Sequence, residues 1–145
     1  VDGDRLDREL AGGHDLDHSA ARRRLDSFSN IEFRQGELIK IPIADDHVDA
    51  AIMFLVAVYL PEPAEALGEI ARILRRDGAA LIVDLTPHDR ESYRHTMGHQ
   101  HMGFDEKQID RWANDVGLTD VRYRLLKPDT IAKGPGLFVA TMRKQ

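Results

Sequence analysis

The sequence predicts one domain of the α/β class in which at least two neighbouring strands run parallel. Residues 50–55 and 79–85 are apolar at nearly every position, which is typical of strands that helices bury on both faces. Between the two runs, apolar residues recur at the spacing of one helix face, namely Leu67, Ile70, Ala71 and Leu74. A strand, a helix over 63–75 and a second strand form a βαβ unit, whose right-handed crossover places both strands in one sheet.

The segments before this unit carry weaker patterns. Residues 1–18 are polar and acidic, with Gly12-Gly13 in the middle, and we expect a loop there. A short helix is predicted over 19–28, and a short strand over 31–34 that Gly36 ends. Residues 38–48 form a connector, because Pro42 excludes a regular helix and two aspartates mark a turn.

The segments after the unit complete the domain. Residues 86–104 are polar and rich in histidine. Asp105 is predicted to cap a helix that ends at Gly117, with one apolar face made of Ile109, Trp112, Ala113 and Val116. Two closing strands, over 121–126 and 137–142, flank a glycine-containing loop and are expected to form an antiparallel hairpin.

Composition excludes several classes of function. The chain has 145 residues and a formal charge of −5, so it has no basic footprint for nucleic acid or an anionic membrane. It has no cysteine, which excludes disulfides and thiol chemistry, and no apolar run approaches the length of a membrane span. A cytoplasmic enzyme or binding domain fits best. The chain begins with Val rather than Met, so we interpret it as a processed or truncated product.

The carboxyl ends of three predicted strands should meet at one rim of the sheet, where open parallel sheets bind ligands. These ends are the segments 36–38, 54–56 and 84–88. Glu37 is placed there to accept hydrogen bonds from a ligand. A solvated turn residue explains Glu37 equally well from spacing alone.

Three stretches of the chain are similar to a known family. The stretches NIEFRQGELIKIPIADDHVDAAI and YLPEPAEALGEIARILRRDGAALIVDL resemble class I S-adenosylmethionine-dependent methyltransferases. The stretch HDRESYRHTMGHQHMGFDEKQIDRWANDVGL resembles a narrower group, the methyltransferase domains associated with ArsR-type metalloregulators. The resemblance covers residues 30–126. It implies a Rossmann-like sheet of seven strands in the order 3-2-1-4-5-7-6, of which this chain would hold the third to the seventh.

The resemblance implies a domain organisation and a cofactor site. Residues 30–145 would be the core of a single partial domain, preceded by an irregular or helical segment over 1–29. After Gly36, the carboxylate of Glu37 would bind the adenine amino group of S-adenosylmethionine, and the backbone amide of Leu38 would contact a ring nitrogen. Phe54 and Leu55 would lie close to the sulfonium methyl group.

The resemblance also implies an acceptor site. His88 and Asp89 would face the methyl acceptor, and Tyr59 would lie at the rim, although core packing explains Tyr59 equally well. Histidine titrates near neutral pH, so His88 is the candidate general base for an acceptor that carries a proton.

Two family features are missing from this sequence. No strand is followed by the glycine-rich turn that holds the methionine part of the cofactor. The acidic residue that would hold the ribose has no assigned position, and Asp2 and Asp15 are its two candidates. Without the first strand of the family, residues 50–55 would lack a neighbour, and each unsatisfied buried backbone group costs on the order of 1–3 kcal/mol. We therefore expect a homo-oligomer, or a segment outside this sequence, to cover the open edge.

The histidines allow two interpretations. His95 and His99 have the i, i+4 spacing that can hold a metal on one helix face. Gly98 and Gly103 weaken that helix, and a polar cover over the acceptor pocket is the favoured interpretation, so no metal site is predicted. The absence of cysteine argues against arsenite as the substrate.

The sequence predicts S-adenosylmethionine-dependent methyl transfer to an unidentified small molecule. The alternative is a degenerate, non-catalytic domain that serves dimerisation or ligand sensing, which the missing glycine-rich turn favours.

Overall fold

The computed structural model describes residues 18–145. The chain divides into two compact units, Val1–Gln35 and Gly36–Gln145, which are described separately. The predicted loop over 1–18, the Gly12-Gly13 pair and the two ribose candidates, Asp2 and Asp15, lie outside the described residues, apart from His18.

The first unit contains one described helix, α1 (His18–Leu25), which lies largely within the predicted range 19–28. The predicted strand over 31–34 is wrong, because these residues take part in no strand or bridge within the described chain. Glu32 and Arg34 pair with each other at 2.6 Å, and Ile31 is exposed. Alternating apolar and charged residues suit a strand, but a strand also needs a neighbour to supply hydrogen bonds.

The second unit is built on a four-stranded sheet made of β1 (Val48–Phe54), β2 (Leu74–Leu85), β3 (Leu118–Leu125) and β4 (Leu137–Lys144). The strand order is β1-β2-β4-β3. β1 and β2 are parallel, and β4 pairs antiparallel with both β2 and β3. The expected α/β fold with a closing antiparallel hairpin is confirmed, and the order corresponds to 4-5-7-6 of the family sheet.

Two longer helices cover one face of this sheet. α2 (Pro63–Ile73) connects β1 to β2 as predicted but ends two residues early, since Leu74 already enters β2. α4 (Glu106–Asp115) is capped by Asp105, whose carboxylate accepts the backbone N–H of Gln108 at 2.8 Å. The predicted cap is therefore confirmed. Their buried side chains join those of the sheet in one core, which includes Leu67, Ile70, Ile109, Ala113, Ile82, Phe138 and Met142.

The opposite face of β1 is open. Ile52 is 70% exposed and Phe54 is 59% exposed, whereas Met53 between them is buried. The expectation that helices bury both faces of this strand is therefore wrong for the described residues. An apolar run indicates that a strand is suited to burial, but it does not say which element covers it. Within residues 18–145, no helix is both long and apolar enough to cross a lipid bilayer.

Candidate functional site

A tight turn at residues 36–41 carries three of the predicted cofactor residues. The N–H of Lys40 donates to the carbonyl of Glu37 at 3.0 Å. Gly36 packs so closely on Pro42 that an added Cβ would lie 2.6 Å from the proline Cδ. A residue without a side chain is therefore needed directly before Glu37, which accounts for the Gly-Glu pair.

The turn is anchored to α2 by polar contacts. Glu69 accepts the backbone N–H of Ile41 at 2.8 Å, and Arg72 donates to the carbonyls of Ile41 and Ile43 at 3.0 and 2.8 Å. Arg72 also pairs with Glu69 and Asp45, and the hydrogen bond that it donates to Glu69 is the largest cause of its raised pKa. The same pairing lowers the pKa of Glu69. These contacts position the turn beside β1.

Between the turn and β1 lies an apolar groove of about 160 Å³. Its lining includes Leu38 and Ile41 from the turn, and Ile52, Phe54 and Val56 from β1 and its end. Small-molecule sites commonly reach about 300–1,000 Å³, so the groove suits one flat ring rather than a whole cofactor.

The groove brings two of the predicted cofactor residues, Leu38 and Phe54, together. The carboxylate of the neighbouring Glu37 is exposed. The backbone N–H of Leu38 donates to no group within the described residues. An apolar slot beside a free donor and a carboxylate fits the face and the edge of an adenine ring.

Leu55, at the carboxyl end of β1, has a left-handed backbone with φ of 53°. This conformation costs a non-glycine residue roughly 1–2 kcal/mol, and such strain is concentrated at functional sites. Its N–H still donates to the carbonyl of Val83 at 2.8 Å. The chain therefore leaves the sheet abruptly here and enters a 3₁₀ turn, Ala57–Tyr59.

Asp84 holds this turn on the end of β2. Its carboxylate is fully buried and accepts the N–H groups of Ala57 and Leu85 at 2.9 and 2.8 Å. Burial raises the pKa of Asp84, and these hydrogen bonds and the nearby His99 act in the opposite direction. Sequence reasoning missed this residue, although one carboxylate in an otherwise apolar strand was a usable signal.

The histidine-rich segment 99–104 lies across the ends of both strands. The N–H groups of Gln100 and His101 donate to the carbonyl of Val58 at 2.7 and 3.1 Å. On the other side, the backbone N–H of His88 donates to the carbonyl of Met102 at 2.9 Å, and the backbone N–H of Phe104 donates to the carbonyl of Leu85 at 2.9 Å. The segment thus joins the end of β2 to the 3₁₀ turn.

His95 and His99 do not share a helix face. The short helix α3 (Ser92–Thr96) ends before His99, and His95 is exposed while His99 is only 5% exposed. Among the described residues, no group of three potential ligands is arranged around a metal position. His99 instead belongs to a cluster of rings.

We call this set the imidazole cluster, and it comprises Tyr59, His88, Tyr93 and His99. The ring of His99 lies edge-on to Tyr59 at 4.9 Å and to Tyr93 at 5.3 Å, and 6.4 Å from His88, between centroids. His88 lies 5.5 Å from Tyr93. Burial lowers the pKa of His99, His88 lowers it further, and Asp84 raises it.

The predicted acceptor residues are only partly brought together. Tyr59 and His88 both belong to the imidazole cluster, while Asp89 is exposed and contacts Glu91 through its backbone. The Nδ1 atom of His88 accepts the N–H of Arg90 at 3.2 Å, which in the neutral ring leaves the proton on Nε2. The general-base role of His88 stays a prediction, and this hydrogen bond favours a donor role.

Comparison with known proteins agrees with this geometry. Residues 13–82 match a family model described as a methyltransferase domain. This part of the chain is similar to methyltransferases. Over 55 residues it is 34% identical to the uncharacterized methyltransferase YcgJ of Bacillus subtilis strain 168, a match that covers 38% of this chain and 22% of YcgJ.

Solved methyltransferase structures share the fold. The YcgJ structure from Bacillus subtilis superposes with a TM-score of 0.68 at 15% identity, covering 88% of this chain and 76% of that one. A SAM-dependent methyltransferase from Thermotoga maritima gives a TM-score of 0.68 at 18% identity, covering 88% and 69%. The narrower kinship with ArsR-associated domains stays a prediction.

Proposed function

We propose that this chain contributes the adenine-facing and acceptor-facing parts of a site that transfers a methyl group from S-adenosylmethionine to a small molecule. The match of residues 13–82 to a methyltransferase domain supports the methyl donor. One observation carries the proposal, namely that the apolar groove and the imidazole cluster both lie at the carboxyl ends of β1 and β2. Ligands of open α/β sheets bind at such ends.

The groove has the chemistry of an adenine site. The free N–H of Leu38 would donate to a ring nitrogen, and the carboxylate of Glu37 would accept from the amino group. Phe54 and Leu55 would shield the neighbouring sulfur from water. When bound, the cofactor supplies an already activated methyl group, so the protein has only to align and desolvate the reactants.

The imidazole cluster has the chemistry of an acceptor site. Tyr59 and His88 expose part of their surface, while His99 behind them is buried. Only a small group can reach side chains placed in this way, which favours a small-molecule acceptor over a macromolecule. Asp89, exposed beside His88, would contact a more distant part of that acceptor.

Binding of S-adenosylhomocysteine to the full chain tests this proposal by isothermal titration calorimetry. We expect micromolar binding, and we expect Glu37→Ala to weaken it by roughly 10-fold or more, because a hydrogen bond to a charged group is worth about 1.5–3 kcal/mol. Glu65→Ala removes the same charge from an exposed position on α2 and should leave binding unchanged.

Two outcomes would count against the proposal. If the wild-type chain binds no S-adenosylhomocysteine at millimolar concentration, the non-catalytic alternative is favoured. Equal effects of Glu37→Ala and Glu65→Ala would remove the adenine role of the turn.

A further inference from the structure

Two ring nitrogens of the imidazole cluster are buried without a hydrogen-bond partner. They are Nε2 of His88 and Nδ1 of His99, and neither forms a hydrogen bond within residues 18–145. A buried polar atom that lacks a partner costs free energy, and native proteins retain few such atoms. Two of them on neighbouring rings indicate a place where a ligand supplies the missing partner.

The two nitrogens have complementary roles. The bond from Arg90 to Nδ1 of His88 makes Nε2 of that ring a donor in the neutral form. His99 is held neutral by burial, which lowers its pKa, and a neutral imidazole has one nitrogen that accepts. In the tautomer of His99 that carries its proton on Nε2, Nδ1 is the acceptor, and a ligand that satisfies both rings then accepts from His88 and donates to His99.

The separation of the rings is compatible with one atom that bonds to both. The ring centroids lie 6.4 Å apart, and no direct bond joins the two nitrogens. One oxygen that bonds to both nitrogens can span up to about 6 Å between them, because each bond is about 2.7–3.2 Å long.

Methyl transfer adds a further requirement, because the bridging atom must keep a lone pair for the incoming methyl group. A hydroxyl oxygen has two lone pairs and one proton, so it can accept from His88, donate to His99 and still attack carbon. A neutral amine nitrogen has one lone pair, which the bond from His88 would occupy. A thiol is only a weak donor and a weak acceptor.

We propose that His88 and His99 bind the hydroxyl group of an alcohol or phenol and that His99 removes its proton during O-methylation. This inference rests on the proposed methyl-transfer function and specifies its substrate class. In the step, the hydroxyl oxygen forms a bond to the methyl carbon as the bond from that carbon to sulfur breaks. The electron pair of the broken bond stays on sulfur, and the hydroxyl proton passes to Nδ1 of His99 and then to solvent. Asp84 favours the positive charge on His99.

NMR of the imidazole nitrogens tests binding without turnover. In protein labelled with nitrogen-15 at histidine, we expect phenol to shift the Nε2 signal of His88 and the Nδ1 signal of His99 along saturable curves. Aniline, of nearly the same shape, should shift them far less. An equal response to both compounds, or no response to phenol at millimolar concentration, would overturn the proposal.

Turnover separates a base from a structural residue. His99→Asn keeps a polar atom near the Nδ1 position but cannot take up a proton, so transfer from S-adenosylmethionine to phenol should fall by at least about 100-fold. Transfer to 4-nitrophenol at mildly alkaline pH should fall far less, because that hydroxyl is already ionised. His95→Asn, at an exposed position, is the matched control. A similar loss with both acceptors would remove the base role.

The two proposals fail in different ways. If S-adenosylhomocysteine binds but phenol shifts neither ring, the hydroxyl site is wrong and the methyltransferase function stands. If phenol shifts both rings but S-adenosylhomocysteine does not bind, the hydroxyl site stands as a binding site and the methyl-transfer function is wrong.

Discussion

Asp84 and His99 are buried near each other, and burial favours the neutral form of both. It raises the pKa of the carboxyl group and lowers that of the imidazole, while each group partly offsets the shift of the other. Three further rings face His99. They are His88 from the segment after β2, Tyr59 from the 3₁₀ turn and Tyr93 from α3. The pair therefore links stability to pH.

The shift of His99 predicts that acidification destabilises the fold. Below the ordinary value of 6.5, the unfolded chain takes up a proton at this residue that the folded chain binds less readily. The free energy of unfolding should then fall with decreasing pH, by at most about 1.4 kcal/mol per pH unit for one proton. Urea denaturation between mildly acidic and neutral pH measures this slope, and His99→Asn should reduce it.

The control for this prediction is His95→Asn, which should retain the wild-type slope because His95 is exposed. Asp84 acts in the opposite sense, since its raised pKa contributes stability that is lost as pH rises from the ordinary value of 3.8. Asp84→Asn should therefore steepen the acid slope if the two windows overlap. Identical slopes for the wild type and His99→Asn would contradict the prediction.

At the level of elements, the segment 99–104 depends on one glycine. Gly103 has a φ of 87°, and an added Cβ would lie 2.1 Å from the carbonyl oxygen of Thr86 and 2.8 Å from that of Leu85. Both atoms belong to backbone and cannot rotate away. The close approach allows the N–H of Phe104 to reach Leu85 and places the histidines beside β2.

Gly103→Ala should therefore be severely destabilising. Gly98 is a matched control, since it also has a positive φ, 74°, but an added Cβ meets nothing within 4 Å. Gly98→Ala should cost about 1–2 kcal/mol for the conformation alone, and Gly103→Ala should cost at least about 3 kcal/mol, because strain and clash combine. Urea denaturation measures both changes. Similar losses of unfolding free energy for the two variants would contradict the prediction, because they would show that the backbone moves away from the added Cβ at position 103.

The elements that the sequence predicted correctly are those whose signal is local. The helical spacing of α2 and the capping aspartate of α4 are contained in a few adjacent residues, and both helices occur as expected. The strand expected over 31–34 was wrong because a strand depends on a neighbour that local pattern does not reveal.

The site residues show the same difference between local signals and contacts with distant residues. Leu38 and Phe54 were predicted from motif positions and line one groove, while their roles stay a prediction. Asp84 was assigned no role and His99 only a place in a polar cover. Their importance comes from contacts between residues 27 and 15 positions apart, namely Asp84 with Ala57 and Asp84 with His99. Such contacts exist only once the strand ends have been brought together.

At the scale of the whole molecule, β1 is one of the two edge strands of the described sheet. Within the described residues it pairs with β2 alone, so its outer edge presents unpaired backbone groups that can pair with another strand. Ile52 and Phe54 project from the same open face. An apolar face next to a free edge is typical of an interaction surface.

We propose that a second copy of this chain pairs with the outer edge of β1, because a twofold axis lets the same edge of both copies meet. Light scattering after gel filtration should give the mass of two chains. Ile52 borders this edge and also lines the apolar groove, so the dimer is measured without cofactor. Burying one isoleucine is worth about 1.5–3 kcal/mol, so Ile52→Lys should weaken the dimer by roughly 10-fold or more. Leu125→Lys changes an equally exposed residue, 71% against 70%, on the opposite edge strand and should leave the dimer intact. A monomeric wild type, or equal weakening by both variants, would show that β1 is not the interface.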